Sequence, residues 1–410
     1  MDIQFILSQK GDLKNINLLI SINEQIIKTR TPLKIHQDQW DCQKQRPYNI
    51  YIKIYKKINF TLDQIKITLT QYISNKLKKN QQISQRAISG IIKNIIKEKR
   101  NLHPENSLLS LMQSYIEERI EAICNSTYKR YKVFFNLIQR FEGFVRQKLL
   151  IHEINPKCIN EFILFGKQED YSENTIYRTI HFIKTIMNYA ERTGVRTRVR
   201  EIIVRREKQK KQFISLTEDE IIAIKKTTVP QELQPAKDWL IISCYTGQRF
   251  SDFINFSSQK LLDIQGKTCI SFIQQKTKKE VLLPLHPEVI NAISRNQNQF
   301  PMTMHIKDYN KQIKQISMLA GINKYIKAKK RIGHRIKDLV IEKWNFITSH
   351  IGRRSFASNF YGKIPTPLLM EATGHSTEQM FLKYINPIDK SRVIKLGNHF
   401  DNIYKEKITT

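Results

Sequence analysis

The sequence predicts an α+β protein that is mostly helical, with a small N-terminal β-sheet, a helical domain and a mixed α/β domain in that order. Three observations lead to this prediction. Apolar residues come in short stretches at the start of the chain, they recur every three or four residues from about position 104, and the second half contains both helix and hairpin signals. A chain of 410 residues is long enough for two or three domains, each with its own core.

The N-terminal part, residues 1–103, has the pattern of a small β-sheet followed by a basic helical segment. The strings IQFIL, INLLISI and PLKI are separated by the turn-forming pairs Gly11-Asp12 and Asn23-Glu24. After the string QWDCQKQRP, an isoleucine-rich polar region from about 58 to 100 carries the basic clusters KLKKN and KNIIKEKR. We expect this region to be helical.

Residues 104–200 have the period of amphipathic helices that pack into a compact domain. The aromatic residues of the second helix could form an exposed stacking surface. Because aromatic side chains at helical spacing usually belong to a core, we interpret them as core. Three apolar series define the helices: Leu108, Met112, Tyr115, Ile116, Ile120 and Ile123; Tyr131, Phe134, Phe135, Ile138 and Phe141; and Ile176, Ile180, Ile183, Met187 and Ala190.

A basic connector, residues 201–212 (EIIVRREKQKKQ), precedes the last domain, residues 213–410. In that domain Thr217 and Glu220 stand at the spacing of a capping box, which predicts a helix start. The strings CISFI and EVLLPL predict the two strands of a β-hairpin.

The charge balance favours a polyanionic partner. Lys and Arg number 69 against 37 Asp and Glu, a net charge of +32 that is spread along the chain. Nucleic acid is the first candidate, since neutralising phosphates releases condensed counterions. A basic membrane-surface protein is the alternative, but the sequence has no lipidation signal, no apolar run of roughly 20 residues and no secretory leader. We therefore expect a cytoplasmic protein without a membrane partner.

The cysteines indicate neither disulfides nor a metal site. There are five, Cys42, Cys124, Cys158, Cys244 and Cys269, and none is in a C-x-x-C spacing. We expect reduced, mostly buried thiols and no zinc site. The sequence also lacks the glycine-rich phosphate loop of ATP-binding proteins, and we expect no cofactor.

Five residues of the second half bring cations together with a phenol. In the string HIGRRSFASNF, His350 and Arg353 are three apart, so on a helix both side chains leave the same face. The planar guanidinium of arginine matches two phosphate oxygens at once, and CYTGQRFSDF supplies a second one, Arg249. The string TGHSTEQMFLKY adds His375 and, nine residues later, Tyr384. These residues predict a cationic pocket that holds a phosphodiester beside a phenolic nucleophile.

In order, wording and spacing, these blocks resemble the tyrosine recombinase (phage integrase) family. The family pattern is TG-x-R, a hairpin lysine, H-x-x-R, and GH with a tyrosine nine residues after that histidine. Lys276 in FIQQKTKKEVLLPL fills the lysine position, although Lys278 and Lys279 stand beside it. The resemblance implies a site-specific DNA recombinase, an integrase, that forms a covalent 3′-phosphotyrosine intermediate without a metal or ATP.

The resemblance also assigns a role to each catalytic position. Tyr384 would be the nucleophile, and Arg249 and Arg353 would stabilise charge on the phosphate. Lys276 would be the general acid for the departing 5′-hydroxyl. His350 would assist proton transfer at the nucleophile, and His375 would hydrogen-bond the phosphate.

The likeness extends to the domains and partners. Residues 1–103 resemble an arm-DNA-binding domain, including the pair Trp40-Asp41, with a small accessory sheet as the alternative. Residues 104–200 resemble the SAM-like core-binding domain, and residues 213–410 the catalytic domain. The implied partners are double-stranded DNA, three further copies in a tetramer with residues 388–410 packing on a neighbour, and an accessory DNA-bending protein. The wording TSHIGRRSFASNFYG is most similar to integrases of Bacteroidetes mobile elements.

Some assignments stay open at this point. Arg354 faces about 100° away from Arg353 on a helix, so we expect a structural or DNA-backbone contact. Asp252 would either orient the active-site cations or form an ordinary surface ion pair. The rival functions are a dimer-resolving or DNA-inverting recombinase, a type IB topoisomerase, and a DNA-binding protein that keeps the fold without catalysis.

Overall fold

The structure is a computed structural model with two compact units, Met1–Lys208 with Arg331–Ile336 and Gln209–Lys330 with Lys337–Thr410. The residues that it describes are 1–9, 11–22, 25–50, 52–97, 103–204, 213–332, 335–385, 394, 397–398 and 400–401. Most of the predicted basic connector, residues 205–212, and most of the predicted C-terminal packing segment, 388–410, lie outside these residues.

The first unit begins with the predicted β-sheet. Its strands are antiparallel in the order β1-β2-β3, with Phe5 opposite Leu18 and Leu18 opposite Thr29. Apolar side chains alternate along the strands because successive residues point to opposite faces, and one face forms a core. The strands are β1 (Asp2–Leu7), β2 (Leu13–Ile22) and β3 (Gln25–His36), followed by a short pair, β4 (Trp40–Asp41) and β5 (Arg46–Pro47).

Two helices cover the inner face of this sheet. The region predicted as one helical stretch over 58 to 100 is α1 (Lys53–Lys78) and α2 (Gln85–Lys97). The chain breaks between them at Asn80, which has a positive φ of 48°. Buried isoleucines and leucines of α1 and α2 share one core with the sheet.

The helical domain of the first unit has four helices around an aromatic-rich core. The predicted first helix is shorter than its apolar series, because the chain turns after residue 118 and leaves Ile120 54% exposed. The interpretation of the second helix is confirmed, since Tyr131 stacks on Phe182 and Phe134 is buried. A helix that the sequence analysis did not name packs beside them. The four are α3 (Leu108–Glu118), α4 (Asn125–Val145), α5 (Pro156–Gln168) and α6 (Glu173–Arg192).

The second unit is built around one helix that is buried along most of its length. Thr217 and Glu220 form the predicted capping box at the start of the unit's first helix. The predicted hairpin is present as β7 and β8 of an antiparallel sheet in the order β6-β7-β8. These elements are α7 (Glu218–Lys226), the buried α8 (Gln234–Thr246), α9 (Phe250–Phe253), β6 (Leu261–Ile264), β7 (Lys267–Ile273) and β8 (Glu280–Pro284).

The remaining elements complete the second unit around α8. One of them, a two-stranded sheet, is absent from the sequence analysis, since its first strand is rich in lysine and its second lacks an apolar alternation. The elements are α10 (Pro287–Arg295), α11 (Ile306–Leu319), β9 (Tyr325–Ile332), β10 (Arg335–Glu342), α12 (Lys343–Phe346), α13 (Ile351–Phe360), α14 (Thr366–Thr373) and α15 (Glu378–Leu382).

The cysteines are all free thiols, as predicted, but the expectation that most are buried is wrong. Cys244 and Cys269 are buried and Cys158 is half-buried. Cys42 lies in the exposed turn between β4 and β5, and Cys124 stands at the exposed start of α4. In the described parts of the chain, no helix is long and apolar enough to span a bilayer.

Candidate active site

A glycine turn at the end of α8 places the first arginine of the predicted site. Gly247 has a φ of +67°, and a Cβ there would lie 2.5 Å from Phe356 Cδ1, so both the backbone angle and the space require glycine. Arg249 follows at the start of α9 and donates from Nη1 to Gln274 Oε1 at 3.1 Å. Asp252 Oδ2 lies 3.8 Å from the same nitrogen.

Asp252 links this arginine to the β7–β8 hairpin. The carboxylate is 4% exposed, so the alternative of an ordinary surface ion pair is wrong. Its Oδ1 accepts the backbone N–H of Gln275 at 2.9 Å. A buried carboxylate between a guanidinium and a backbone N–H favours one arrangement of both.

Arg353 is the central cation of the site and is fully buried, with 0% exposure. It lies on α13 and donates from Nη1 to the Gly247 carbonyl at 2.9 Å and from Nη2 to the Thr373 carbonyl at 2.7 Å. Its Nη2 also lies 3.1 Å from His375 Nε2. Burial and the nearby charge of Arg249 lower the pKa of Arg353. The guanidinium stays charged because arginine is so basic in water.

The turn after α14 orients His375. Thr373 Oγ1 donates to the Leu369 carbonyl at 2.6 Å and lies 2.8 Å from His375 Nδ1. Because that hydroxyl has only one hydrogen, its donation to the Leu369 carbonyl makes Nδ1 the donor and Nε2 the acceptor facing Arg353 in this arrangement. The ring is therefore neutral in this arrangement. Burial, with the charges of Arg353 and Arg249, lowers the pKa of His375 to about 4, in agreement with this.

A second glycine makes room for Gln274 behind the site. Gly374 has a φ of +69°, and a Cβ on it would lie 2.5 Å from Gln274 Oε1 and 2.6 Å from Gln274 Nε2. Gln274 is itself fully buried at the end of β7. The Gly-His pair of the motif thus combines a left-handed turn with direct packing on the hairpin.

Tyr384 lies against the buried cations, two residues beyond α15. Its ring centroid is 5.4 Å from the guanidinium carbon of Arg353 and 5.0 Å from the His375 ring centroid. Arg354 is half-buried outside this cluster, as predicted from its direction on the helix. Burial lowers the pKa of Arg354, and the nearby Tyr384 opposes that shift.

His350 and Lys276 lie at the edge of the site. His350 precedes α13, and its backbone carbonyl accepts the backbone N–H of Arg354 at 3.2 Å. Partial burial, followed by the charges of Arg354, Arg353, Arg249 and Lys276, lowers its pKa. Lys276 is exposed in the turn between β7 and β8, and its charge reaches His350.

The structure therefore brings four of the six predicted residues together. Arg353, His375 and Tyr384 are in direct contact. Arg249 is linked to them through hydrogen bonds of Gln274. Sequence reasoning missed Gln274 and Thr373, which bond to them. Thr373 stands beside the GH pair in the motif, but no periodicity marks Gln274. In the described ranges, no group of three His, Cys, Asp or Glu residues could hold a metal ion.

We expect the stability of the protein to fall as the pH drops from about 6.5 to 4. A histidine in an unfolded chain has a pKa near 6.5, whereas that of His375 is about 4 in the folded chain. Between these values the unfolded chain binds a proton that the folded chain does not, so protonation favours unfolding. His350 contributes in the same direction, because its pKa is also lowered.

Urea unfolding at pH 7 and pH 5, followed by fluorescence, checks this expectation. The free energy of unfolding of His375→Gln should fall between the two pH values by on the order of 2 kcal/mol less than that of the wild type. Equal losses in both proteins would contradict a neutral, buried His375.

Two regions of the chain match known domain families. Residues 107–199 match the phage integrase SAM-like domain, and residues 215–391 match the phage integrase family. No curated protein sequence gives a significant match.

Several solved structures are similar in fold. The Tn1549 transposon integrase in complex with a circular intermediate DNA has a TM-score of 0.52 and 16% sequence identity, over 72% of this chain and 100% of that chain. XerH recombinase bound to difH substrate has a TM-score of 0.47 and 14% sequence identity, over 82% of this chain and 94% of that chain. A lambda integrase dimer bound to a COC′ core site has a TM-score of 0.46 and 16% sequence identity, over 67% of this chain and 97% of that chain. The first match and the two domains confirm the predicted fold class.

Proposed function

Since this chain belongs to the phage integrase family and is therefore a tyrosine recombinase, an enzyme that cleaves and rejoins DNA strands, we propose that it integrates and excises a mobile element through a 3′-phosphotyrosine intermediate. One observation carries the proposal: the Tyr384 ring lies 5.4 Å from a fully buried guanidinium. Proximity of a phenol to a fixed cation is what nucleophilic attack on a phosphodiester requires.

Cleavage begins with attack by the Tyr384 oxygen on the scissile phosphorus. A free phenol has a pKa near 10, so it attacks at neutral pH only where cations favour the developing phenolate. Arg353 and Arg249 supply that charge and stabilise the phosphate oxygens in the transition state. Arg353 bonds to two carbonyls through Nη1 and Nη2, whereas its buried Nε has no hydrogen-bond partner among the described residues, so this N–H is available to a phosphate oxygen.

The histidines and the hairpin lysine handle protons. His375 donates to the phosphate if its Nε2 carries hydrogen, and the Thr373 hydroxyl permits this by turning to donate to Nδ1. His350, with its lowered pKa, accepts the phenol proton. Lys276 gives a proton to the departing 5′-oxygen.

The covalent product conserves the energy of the broken bond. A 5′-hydroxyl of another strand attacks the phosphotyrosine, the phosphorus–tyrosine bond breaks, and a new phosphodiester forms without ATP. Arginines occupy the position that a divalent metal has in other nucleases, so the step proceeds without one.

DNA is the partner that the charge distribution fits. The net charge of +32 favours phosphate contacts, and the Tn1549 integrase structure of similar fold is a DNA complex. On β3, Lys28, Arg30 and Lys34 alternate with buried residues, so these cations line the outer face of the N-terminal sheet. We assign arm-type DNA binding to this face. The SAM-like domain would hold the core site.

The remaining parts of the proposal concern assembly and origin. Strand exchange requires several active sites, so we propose a tetramer, with residues 388–410 packing on a neighbour and a DNA-bending protein assisting. Because the proposed reaction takes place on DNA, we propose that the enzyme acts in the cytoplasm. The sequence TSHIGRRSFASNFYG supports an origin in a Bacteroidetes mobile element.

Covalent trapping on DNA tests the proposal. A nicked suicide substrate, which loses a short fragment on cleavage, should accumulate a protein–DNA adduct with the wild type in the presence of a metal chelator. Protease digestion and mass spectrometry should find the nucleotide on the peptide that contains Tyr384. An adduct on another residue, or a requirement for magnesium in cleavage, would contradict the mechanism. The substrate is a DNA junction recovered from cells that express the protein.

A further inference from the structure

We propose that Gln274 is a positioning residue that holds the turn bearing Lys276 against Arg249, and this inference rests on the proposed function. The side chain touches neither DNA nor the reacting atoms in the proposed chemistry. It acts through the residues that it bonds.

A single oxygen of Gln274 joins the first arginine to the turn. Its Oε1 accepts from Arg249 Nη1 at 3.1 Å and from the Thr277 hydroxyl at 2.7 Å. Thr277 is the neighbour of Lys276 in the chain. This acceptor therefore restrains both the position of the turn and the direction of the guanidinium, in addition to the link through Asp252.

The amide nitrogen of Gln274 anchors this oxygen to the rest of the site. Its Nε2 donates to Gln248 Oε1 and to the Thr373 carbonyl, both at 3.2 Å. Gly374 packs on the amide, as described above. Because the side chain is fully buried, no water competes for these bonds. The amide has its donors and its acceptor all engaged.

Backbone hydrogen bonds hold the base of the turn, and the side chains at its tip are exposed. Gln274 receives the N–H of Lys278 on its carbonyl at 2.9 Å, and its own N–H donates to the Lys279 carbonyl at 2.9 Å. The side chains of Lys276 and Thr277 are exposed. The bond from the Thr277 hydroxyl to Gln274 therefore fastens the exposed tip to the buried site.

The proposed role predicts a defect that depends on the leaving group. When Tyr384 attacks, the bond from phosphorus to the 5′-oxygen breaks, and that oxygen takes a proton from Lys276. A substrate with sulfur in place of this bridging oxygen releases a thiolate, which needs no proton because thiols are far more acidic than alcohols. Misplacing Lys276 should therefore slow cleavage of the oxygen substrate and spare the sulfur substrate.

Single-turnover cleavage of the two substrates by full-length variants tests this. Thr277→Val removes only the hydroxyl from an exposed position, and we expect about a tenfold loss on oxygen and less than about a twofold loss on sulfur. Thr277→Ser keeps the hydroxyl and should retain most of the activity on both. Gln274→Leu should cleave the oxygen substrate about 100-fold more slowly than the wild type. Its loss on the sulfur substrate should be smaller but not absent, since the substitution also removes the bond to Arg249.

Other outcomes would overturn the inference. One is a cleavage rate of Thr277→Val that falls equally on both substrates, and another is a rate that falls on neither. The third is a loss of rate in Thr277→Ser as large as that in Thr277→Val. If the wild type traps DNA but sulfur does not rescue Lys276→Ala, Lys276 is not the acid and Gln274 has nothing to align. A wild type that forms no adduct contradicts the proposed function instead.

Discussion

Tyr384→Phe is expected to abolish covalent trapping of DNA, at least a 10⁴-fold loss, while it leaves DNA affinity within about twofold. The substitution removes one oxygen and keeps the ring that packs beside Arg353 and His375. Without that oxygen the nucleophile is gone, but the basic surface that binds phosphates is unchanged. A denaturing gel of the suicide-substrate reaction measures trapping, and a mobility shift at fixed salt measures binding.

A matched control comes from a second tyrosine of the same unit. Tyr361 also packs near the C-terminal helices, with its ring 6.3 Å from that of Phe381. Tyr361→Phe should trap DNA like the wild type. If Tyr384→Phe traps as much DNA as Tyr361→Phe, Tyr384 is not the nucleophile.

Arg353→Lys is expected to lower single-turnover cleavage by about 10² to 10³-fold, the usual effect of losing one charge-stabilising donor. A lysine keeps the charge but has one nitrogen in place of the planar fork, so it cannot keep the two-nitrogen geometry of the bonds to the Gly247 and Thr373 carbonyls. The loss of one charge-assisted bond to a buried carbonyl costs about 1.5 to 3 kcal/mol of stability. Thermal unfolding of the same preparation measures that loss separately.

Arg354→Lys is the control, since this arginine lies beside Arg353 but is only half-buried. We expect less than about a tenfold loss from it. Equal losses in both variants would remove the special role of Arg353. Tyr384 lies near the Arg353 of its own chain. A mixture of Arg353→Lys and Tyr384→Phe should therefore fail to restore trapping, and restored trapping would indicate that the tyrosine acts in a neighbouring subunit.

The sequence predicted those features that depend on local chemistry. The capping box at Thr217 and Glu220 needs only side chains three residues apart, and the hairpin needs only two apolar runs around a polar turn. The cationic cluster could be predicted because its blocks follow a family pattern of types and spacings. The contacts of Arg353 with His375 and Tyr384 then follow from the fold.

What the sequence could not predict depends on which distant segments meet. Gln274 is one of many glutamines, and its importance arises only where β7 ends beside Arg249 and Thr373. From the sequence, Asp252 could equally be an acidic residue in a surface ion pair, and only its burial in the structure excludes this. The length of α3 was overestimated because apolar spacing continues past the point where the chain must turn toward α4.

The close packing of Gly374 on Gln274 has an evolutionary consequence. With the amide oxygen and nitrogen 2.5 and 2.6 Å from where a Cβ would stand, position 374 cannot take a larger residue while Gln274 keeps its place. A larger residue at 374 would require a shorter one at 274, which would surrender the bond to Arg249. Descendants of this gene that keep Gln274 should therefore keep Gly374, with the hydroxyl at position 277 following the same history.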